Sequence, residues 1–192
     1  MGADLFTLAD YKAYANLTSP TQDTEIKAII PIASQMVKTY CRRTFVDYVD
    51  DAKTEVFTGG GERIYLTEFP VLTVASVEYS ADYGSTYTTL VEFTDYAVDH
   101  EDDGIVPIAA VDNVWPRLIN GYKVTYTGGY EELPEDLKVA AMDLLTYYLK
   151  NDMAVKAQRA AGANTVQIEY ITKNTLPSHI VRVLDMYLAN VS

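Results

Sequence analysis

At 192 residues and 48% apolar content, the chain can bury an ordinary hydrophobic core without disulfides or a structural metal. Fifteen Lys and Arg against 27 Asp and Glu leave a net charge of −12, which excludes a surface that wraps nucleic acid or docks on anionic lipid. The single cysteine, Cys41, excludes an internal disulfide and a thiolate zinc site and fits a reducing compartment. Met1 to Asp10 lacks a signal-peptide pattern and no window reaches about 18 uninterrupted apolar residues, so a soluble, unexported chain is expected.

Thr7 and Asp10 have the spacing of a helix start, followed by Tyr11, Ala13, Tyr14 and Leu17 and closed by Ser19 and Pro20. A longer helix opens near Asp23 or Thr24, with Ile26, Ile29, Ile30, Ala33, Val37, Tyr40 and Cys41 on one face and Lys38, Arg42 and Arg43 at its negative pole. Pro31 interrupts the pattern, so the helix is either kinked there or begins at Pro31. From Thr54 to Thr127 the period changes to two. Val56–Thr58, Arg63–Leu66, Val71–Tyr79, Tyr87–Val91, Tyr96–Asp99, Ile105–Ile108 and Lys123–Thr127 are rich in β-branched and aromatic residues, and Gly, Asp-Gly and Asn-Gly turns separate them.

Helix resumes at Pro134, with Glu135 and Asp136 in its first turn and Leu137, Ala140, Ala141, Leu144, Leu145 and Tyr148 as its apolar stripe to about Lys150. Residues 151 to 175 combine a small, polar stretch, Ala157–Ala163, with an alternating run, Val166 to Thr172. That run is expected to be an arm without an intramolecular ladder, whose strand edges pair with a partner. A last helix, Pro177 to Ala189, carries Ile180, Val183, Leu184, Tyr187 and Leu188. The expected fold class is α+β: a small bundle of about four helices with an inserted antiparallel β-region and a C-terminal arm plus helix. A single domain over 1–192 is expected, divided into N-terminal helices (7–45), β-region (54–127), core helix (134–150) and arm with C-terminal helix (151–192).

Catalytic chemistry finds little support. Only His100 and His179 could serve a nucleophile as base, and both read as solvated surface imidazoles; Cys41, on the apolar stripe of the second helix, reads as an inert buried thiol. The cluster Asp99-His100-Glu101-Asp102-Asp103-Gly104 lacks the alternate-residue spacing of an EF-hand loop and reads as a charged hairpin tip. Gly59-Gly60-Gly61 lacks the Lys-Ser/Thr of a phosphate loop and reads as a turn, while Arg42 and Arg43 are too small a basic cluster for a nucleic-acid footprint. No cofactor is implied. Sixteen tyrosines against 5 Phe and 1 Trp fit either sheet faces or surfaces that are wet in one state and covered in another.

The order of motifs is more informative. Thr7-Leu8-Ala9-Asp10-Tyr11-Lys12, Asp23 to Ala33, and Tyr40-Cys41-Arg42-Arg43-Thr44-Phe45 are followed by Phe69-Pro70-Val71, Val74-Ala75-Ser76-Val77 and Trp115-Pro116. Val124 to Tyr130, Leu133 to Lys138 and Leu176-Pro177 complete the series. This succession resembles the head-to-tail connector (adaptor, or head-completion) proteins of long-tailed bacteriophages over about residues 7 to 150 and 176 to 188. Gly128 stands where that family commonly has alanine, and residues 151 to 175 have no clear counterpart. The resemblance implies a structural, non-enzymatic virion protein at the capsid vertex, assembled in the host cytoplasm. Its ring, usually of twelve copies, lies under the portal protein, extends the DNA channel without specific DNA binding, and docks the tail terminator or a stopper protein, with no membrane partner. The residues expected at interfaces are Val166, Ile168, Tyr170, Ile180, Leu184, Tyr187, Leu188, Arg42 and Arg43. Two other readings stand beside it: a β-rich protein- or carbohydrate-binding module using exposed tyrosines, and a metal-dependent hydrolase using Asp99, Glu101, Asp102 and Asp103.

Overall fold

A computed structural model describes residues 2–108, 114–150, 156–159, 166–169 and 176–189. The fold is α+β and divides into two compact units, one mainly of Cys41–Leu133 and the other of Asp4–Tyr40 with Pro134–Tyr187.

The second unit holds the helices. Helix α1 (Leu8–Tyr14) starts at the expected capping box: Asp10 N–H donates to Thr7 Oγ1 at 3.2 Å and Thr7 N–H to Asp10 Oδ2 at 2.8 Å. It stops at Tyr14, before Ser19 and Pro20, because Asn16 turns into the left-handed region at φ 52°. Helix α2 (Asp23–Cys41) runs unbroken through Pro31, which decides for the early start. Pro31 and Lys27 are both exposed, so water can satisfy the Lys27 carbonyl that the proline leaves without its helical partner. Ile26, Ile30, Ala33 and Val37 form the buried face of α2; Leu137, Ala140, Ala141, Leu144 and Leu145 form that of α3 (Glu135–Lys150). Helix α4 (Ser178–Leu184) packs on α3 and ends in a 3-10 turn, Asp185–Tyr187, where a longer helix was expected.

The first unit contains the seven strands expected between the helices. Strands β1 (Lys53–Phe57), β3 (Val71–Tyr79), β4 (Thr88–Thr89) and β7 (Tyr122–Gly128) form a sheet in the order β1-β7-β3-β4; β2 (Ile64–Tyr65), β5 (Tyr96–Asp99) and β6 (Gly104–Pro107) form a second in the order β2-β6-β5. Every pairing between these strands is antiparallel. Tyr122, Val124 and Tyr126 alternate inward along β7 and meet Val71 and Val77 of β3 and Ile64, Tyr96 and Ile105 of the second sheet in one apolar core. Trp115 closes it: its Nε1–H donates to the Ile105 carbonyl at 3.0 Å and its ring meets Tyr122 edge-on at 4.7 Å.

The arm requires a correction. The alternating run is strand β9 (Val166–Glu169), and it is not without a ladder, because β8 (Lys156–Arg159) pairs with it antiparallel from Lys156↔Glu169 to Arg159↔Val166. Ala157 and Gln158, read as part of a small, polar stretch, take strand geometry because a partner strand supplies their backbone hydrogen bonds. Residues 170–175, with the rest of the expected alternation, lie outside the described residues.

Candidate interaction surfaces

The chemical candidates resolve into structure. Asp99 Oδ1 accepts from the Glu101 and Asp102 N–H groups, Asp99 Oδ2 lies 2.5 Å from Arg63 Nη2, and Asp102 also pairs with Arg63. Asp103 Oδ1 accepts from Val71 N–H at 2.9 Å. The acidic run is thus a hairpin tip whose carboxylates hold its own turn and an arginine of β2's approach, and among the described residues no group of three or more His, Cys, Asp or Glu is placed to hold a metal. His100 and His179 are exposed and Cys41 is fully buried. Gly59 to Gly61 form a turn zipped to Trp115, with Gly60 N–H donating to the Trp115 carbonyl and Trp115 N–H to that of Gly61. Among the described residues no helix is long and apolar enough to cross a membrane.

The arginine pair separates in function. Arg42 ends α2 in the left-handed region at φ 58° and is exposed, whereas Arg43 is buried beneath three aromatic faces, with its guanidinium carbon 3.5 Å from the Phe69 ring centre and farther from Phe45 and Tyr130. Burial pulls the Arg43 pKa down against the pull of Tyr130 and Glu68. Its Nη2 donates to the Phe69 carbonyl, while Nε and Nη1 make no hydrogen bond. Arg43 therefore belongs to the packing of the joint that follows α2 and is closed to a partner.

A buried polar network sets that joint. Glu68, fully buried, accepts from the Thr44 and Phe45 N–H groups at 2.9 and 3.2 Å and from Lys53 Nζ at 3.2 Å. Lys53 also contacts Glu55 and Thr67, and Glu55 accepts from the Thr67 and Tyr126 hydroxyls. Burial pushes the Glu55 pKa up, but the Thr67 and Tyr126 hydrogen bonds and Lys53 outweigh it and hold the carboxyl below its ordinary value. Tyr126, desolvated and facing Glu55, is pushed well above the usual phenol range.

Of the remaining interface residues, Ile180 and Leu184 are buried in the subunit itself, because the apolar side of α4 faces α3, and they offer nothing to a partner. Tyr187 is half-buried with its hydroxyl donating to Asp136 at 2.6 Å, and Leu188 is 39% exposed. Val166 and Ile168 lie on β9, and Tyr170 lies outside the described residues. Several tyrosines act as clips with the hydroxyl tied: Tyr11 to Thr146, Tyr40 to Asp185, Tyr122 to the Pro116 carbonyl. Sequence reasoning missed the most exposed aromatic among the described residues, Phe93, which is 79% exposed in the loop between β4 and β5. The signal was available: a lone Phe between Glu92 and Thr94, in a segment too polar to bury it.

Comparison with known proteins places this architecture. A description of the head completion protein family matches residues 4–189. The chain is 26% identical over 190 residues to the head completion protein of Escherichia phage T5, covering 95% of this chain and 97% of that one. Its fold is shared with a chain in the virion of a native gene transfer agent particle (TM-score 0.58, 13% identity, 98% of this chain and 91% of that one). It is shared too with a chain in the neck of such a particle computed with C12 symmetry (TM-score 0.55, 14% identity, 100% and 97%). From its first helix to its last, the chain belongs to the head completion protein family, and is a structural head-to-tail connector of the virion, not an enzyme.

Proposed function

We propose that the protein acts as the head-to-tail adaptor, a ring of twelve copies under the portal protein that extends the DNA channel and docks the tail terminator or a stopper protein, after folding in the host cytoplasm. The observation that carries this reading is the family match over residues 4–189, which takes in both the helices and the β-rich unit. The fold shared with chains of necks computed with C6 and C12 symmetry supports a ring. A net charge of −12 suits a channel through which DNA slides, since repulsion keeps phosphates from adhering.

The β8–β9 hairpin is the portal-facing arm in this reading. Two strands alone are marginal in water, and a third strand contributed by a partner completes such an element. Val166, Ile168 and Tyr170 then belong to the contact, and the exposed Leu188 and Arg42 are further interface residues in this reading. Mixing the protein with its portal oligomer and imaging the product tests the proposal: a closed ring seated on the portal is expected. Deleting residues 156–169 is expected to abolish co-sedimentation with portal while the melting temperature stays nearly unchanged. A stable dimer with and without portal would refute the ring, and unfolding on deletion would return the arm to the subunit core.

A further inference from the structure

The β-rich unit carries two exposed patches on different loops of its four-stranded sheet, one following β4 and one entering β7. The first follows the outer strand β4. Phe93 is 79% exposed and held at φ 62°, a backbone region that a bulky side chain enters only when its surroundings impose it. The imposition is visible: Phe93 N–H donates to the Tyr96 carbonyl at 2.7 Å, Asp95 N–H to the Val91 carbonyl at 2.8 Å, and Val91 N–H to Asp95 Oδ2 at 2.7 Å. Val91 and Ile108, 59% and 44% exposed, flank it, and the Ile108 N–H is tied to the Asp95 carbonyl. The chain thus spends backbone strain to present a phenyl ring to solvent, bordered by the exposed carboxylate of Glu92, which has no ion-pair partner among the described residues.

The second patch lies on the loop that enters β7. The loop entering β7 is zipped to Gly60 and Gly61, just beyond the end of β1, and the Arg117 stem crosses so close to Gly60 that a Cβ there would sit 3.4 Å from Arg117 Cγ. Arg117 is exposed and has no ion-pair partner among the described residues; Ile119, two residues on, is 60% exposed.

An apolar knob with a free carboxylate on one loop and an apolar site with a free guanidinium on the other are complementary in charge and hydropathy. Because they are different surfaces of one molecule, their union is head-to-tail, the kind of contact that generates a ring when the rotation closes. We infer that the occupant of the Phe93 patch is a second copy of this chain, whose Arg117 and Ile119 receive Glu92 and Phe93. The inference rests on the ring reading above and adds its contact. Copies of charge −12 repel one another, so an unpaired cation at the contact lowers the barrier to close approach, and each copy uses both patches, so individually weak contacts close cooperatively.

Rings assembled on the portal oligomer and counted by native mass spectrometry or negative stain provide the readout. Phe93→Asp and Glu92→Arg are each expected to reduce ring occupancy at least tenfold with no loss of melting temperature, and Glu92→Arg combined with Arg117→Glu is expected to recover it to within about threefold. A bis-maleimide reagent is expected to link Phe93→Cys with Ile119→Cys between copies, the buried Cys41 leaving single-cysteine controls unlinked. Rings unaffected by Phe93→Asp and Glu92→Arg, no recovery in the charge swap, or links within one copy would overturn the contact while leaving the ring intact. Intact rings that no longer bind the tail would assign Phe93 to the tail instead, and a lowered melting temperature in Phe93→Asp would assign it to the subunit's own packing. Failure of the unmodified protein to form any ring with portal would remove the ring reading and this contact together.

Discussion

Glu68 is the residue on which the β-rich unit most depends. Its carboxylate is the acceptor for two main-chain N–H groups and for Lys53 in a site closed to water. Removing it strands those donors, so Glu68→Ala is expected to destabilise the protein by about 3 kcal/mol in urea unfolding, the scale for breaking a buried charge pair. Gly128, which departs from the alanine common in the family, is required here: a Cβ at that position would meet the Glu68 carbonyl oxygen at 2.2 Å. Gly128→Ala is expected to cost about 1–3 kcal/mol by overpacking, read as a lower denaturation midpoint. Asp10 supplies the acid side of the pH profile. Hydrogen bonds from the Thr7 hydroxyl and N–H, with help from Lys138, lower its pKa to about 2 from an ordinary 3.8. A depressed folded pKa contributes stability above the unfolded value and loses it as the proton returns, so this increment fades between about pH 4 and pH 2. Asp10→Asn is expected to flatten that part of the melting-temperature profile.

At the scale of elements, helix α2 shows local preference overruled by packing. Proline in a helix interior removes one backbone bond and crowds the preceding turn, yet Ile26, Ile30, Ala33 and Val37 hold one buried face across Pro31. Pro31→Ala is expected to raise stability by about 1–3 kcal/mol, below the full peptide-scale penalty because water already serves the exposed carbonyl, with slower amide exchange around Lys27 as the local signature. The β-strands were legible as period-two runs, and Tyr96–Asp99 and Val71–Tyr79 keep the bounds their alternation implies. Tyr87–Val91 shrank to Thr88–Thr89: Leu90 N–H still donates to the Val77 carbonyl of β3, but at Val91 the chain turns back on itself, its carbonyl accepting from the Thr94 and Asp95 N–H groups in the turn that carries Phe93. The partition into two sheets was not legible, since alternation reports which face is apolar and is silent about which strand lies alongside.

For the whole molecule, charge makes the clearest statement. With a net charge of −12, Arg43 buried and Lys53 paired with Glu55 and Glu68, affinity for random duplex DNA is expected to be weaker than micromolar at physiological salt. Fluorescence anisotropy over a salt series checks this; sub-micromolar, salt-sensitive binding would show a basic tract that the folded surface does not offer.

The sequence by itself determined the helices with their caps, the inward alternation of the strands, the acidic surface and the absence of a catalytic constellation, because each follows from neighbours within a few positions along the chain. Tertiary structure alone decided which of the marked residues face a partner. Arg42 and Arg43 are adjacent and chemically alike, yet the left-handed turn at Arg42 leaves one in water and sends the other under Phe69. Ile180 and Leu184 read as a docking stripe until α3 covers them. Phe93 reads as an ordinary apolar residue until its N–H bond to the Tyr96 carbonyl and the reciprocal bonds between Val91 and Asp95 fix it outward. Burial is a property of what packs against a residue from distant parts of the chain, and one-dimensional spacing carries no record of that.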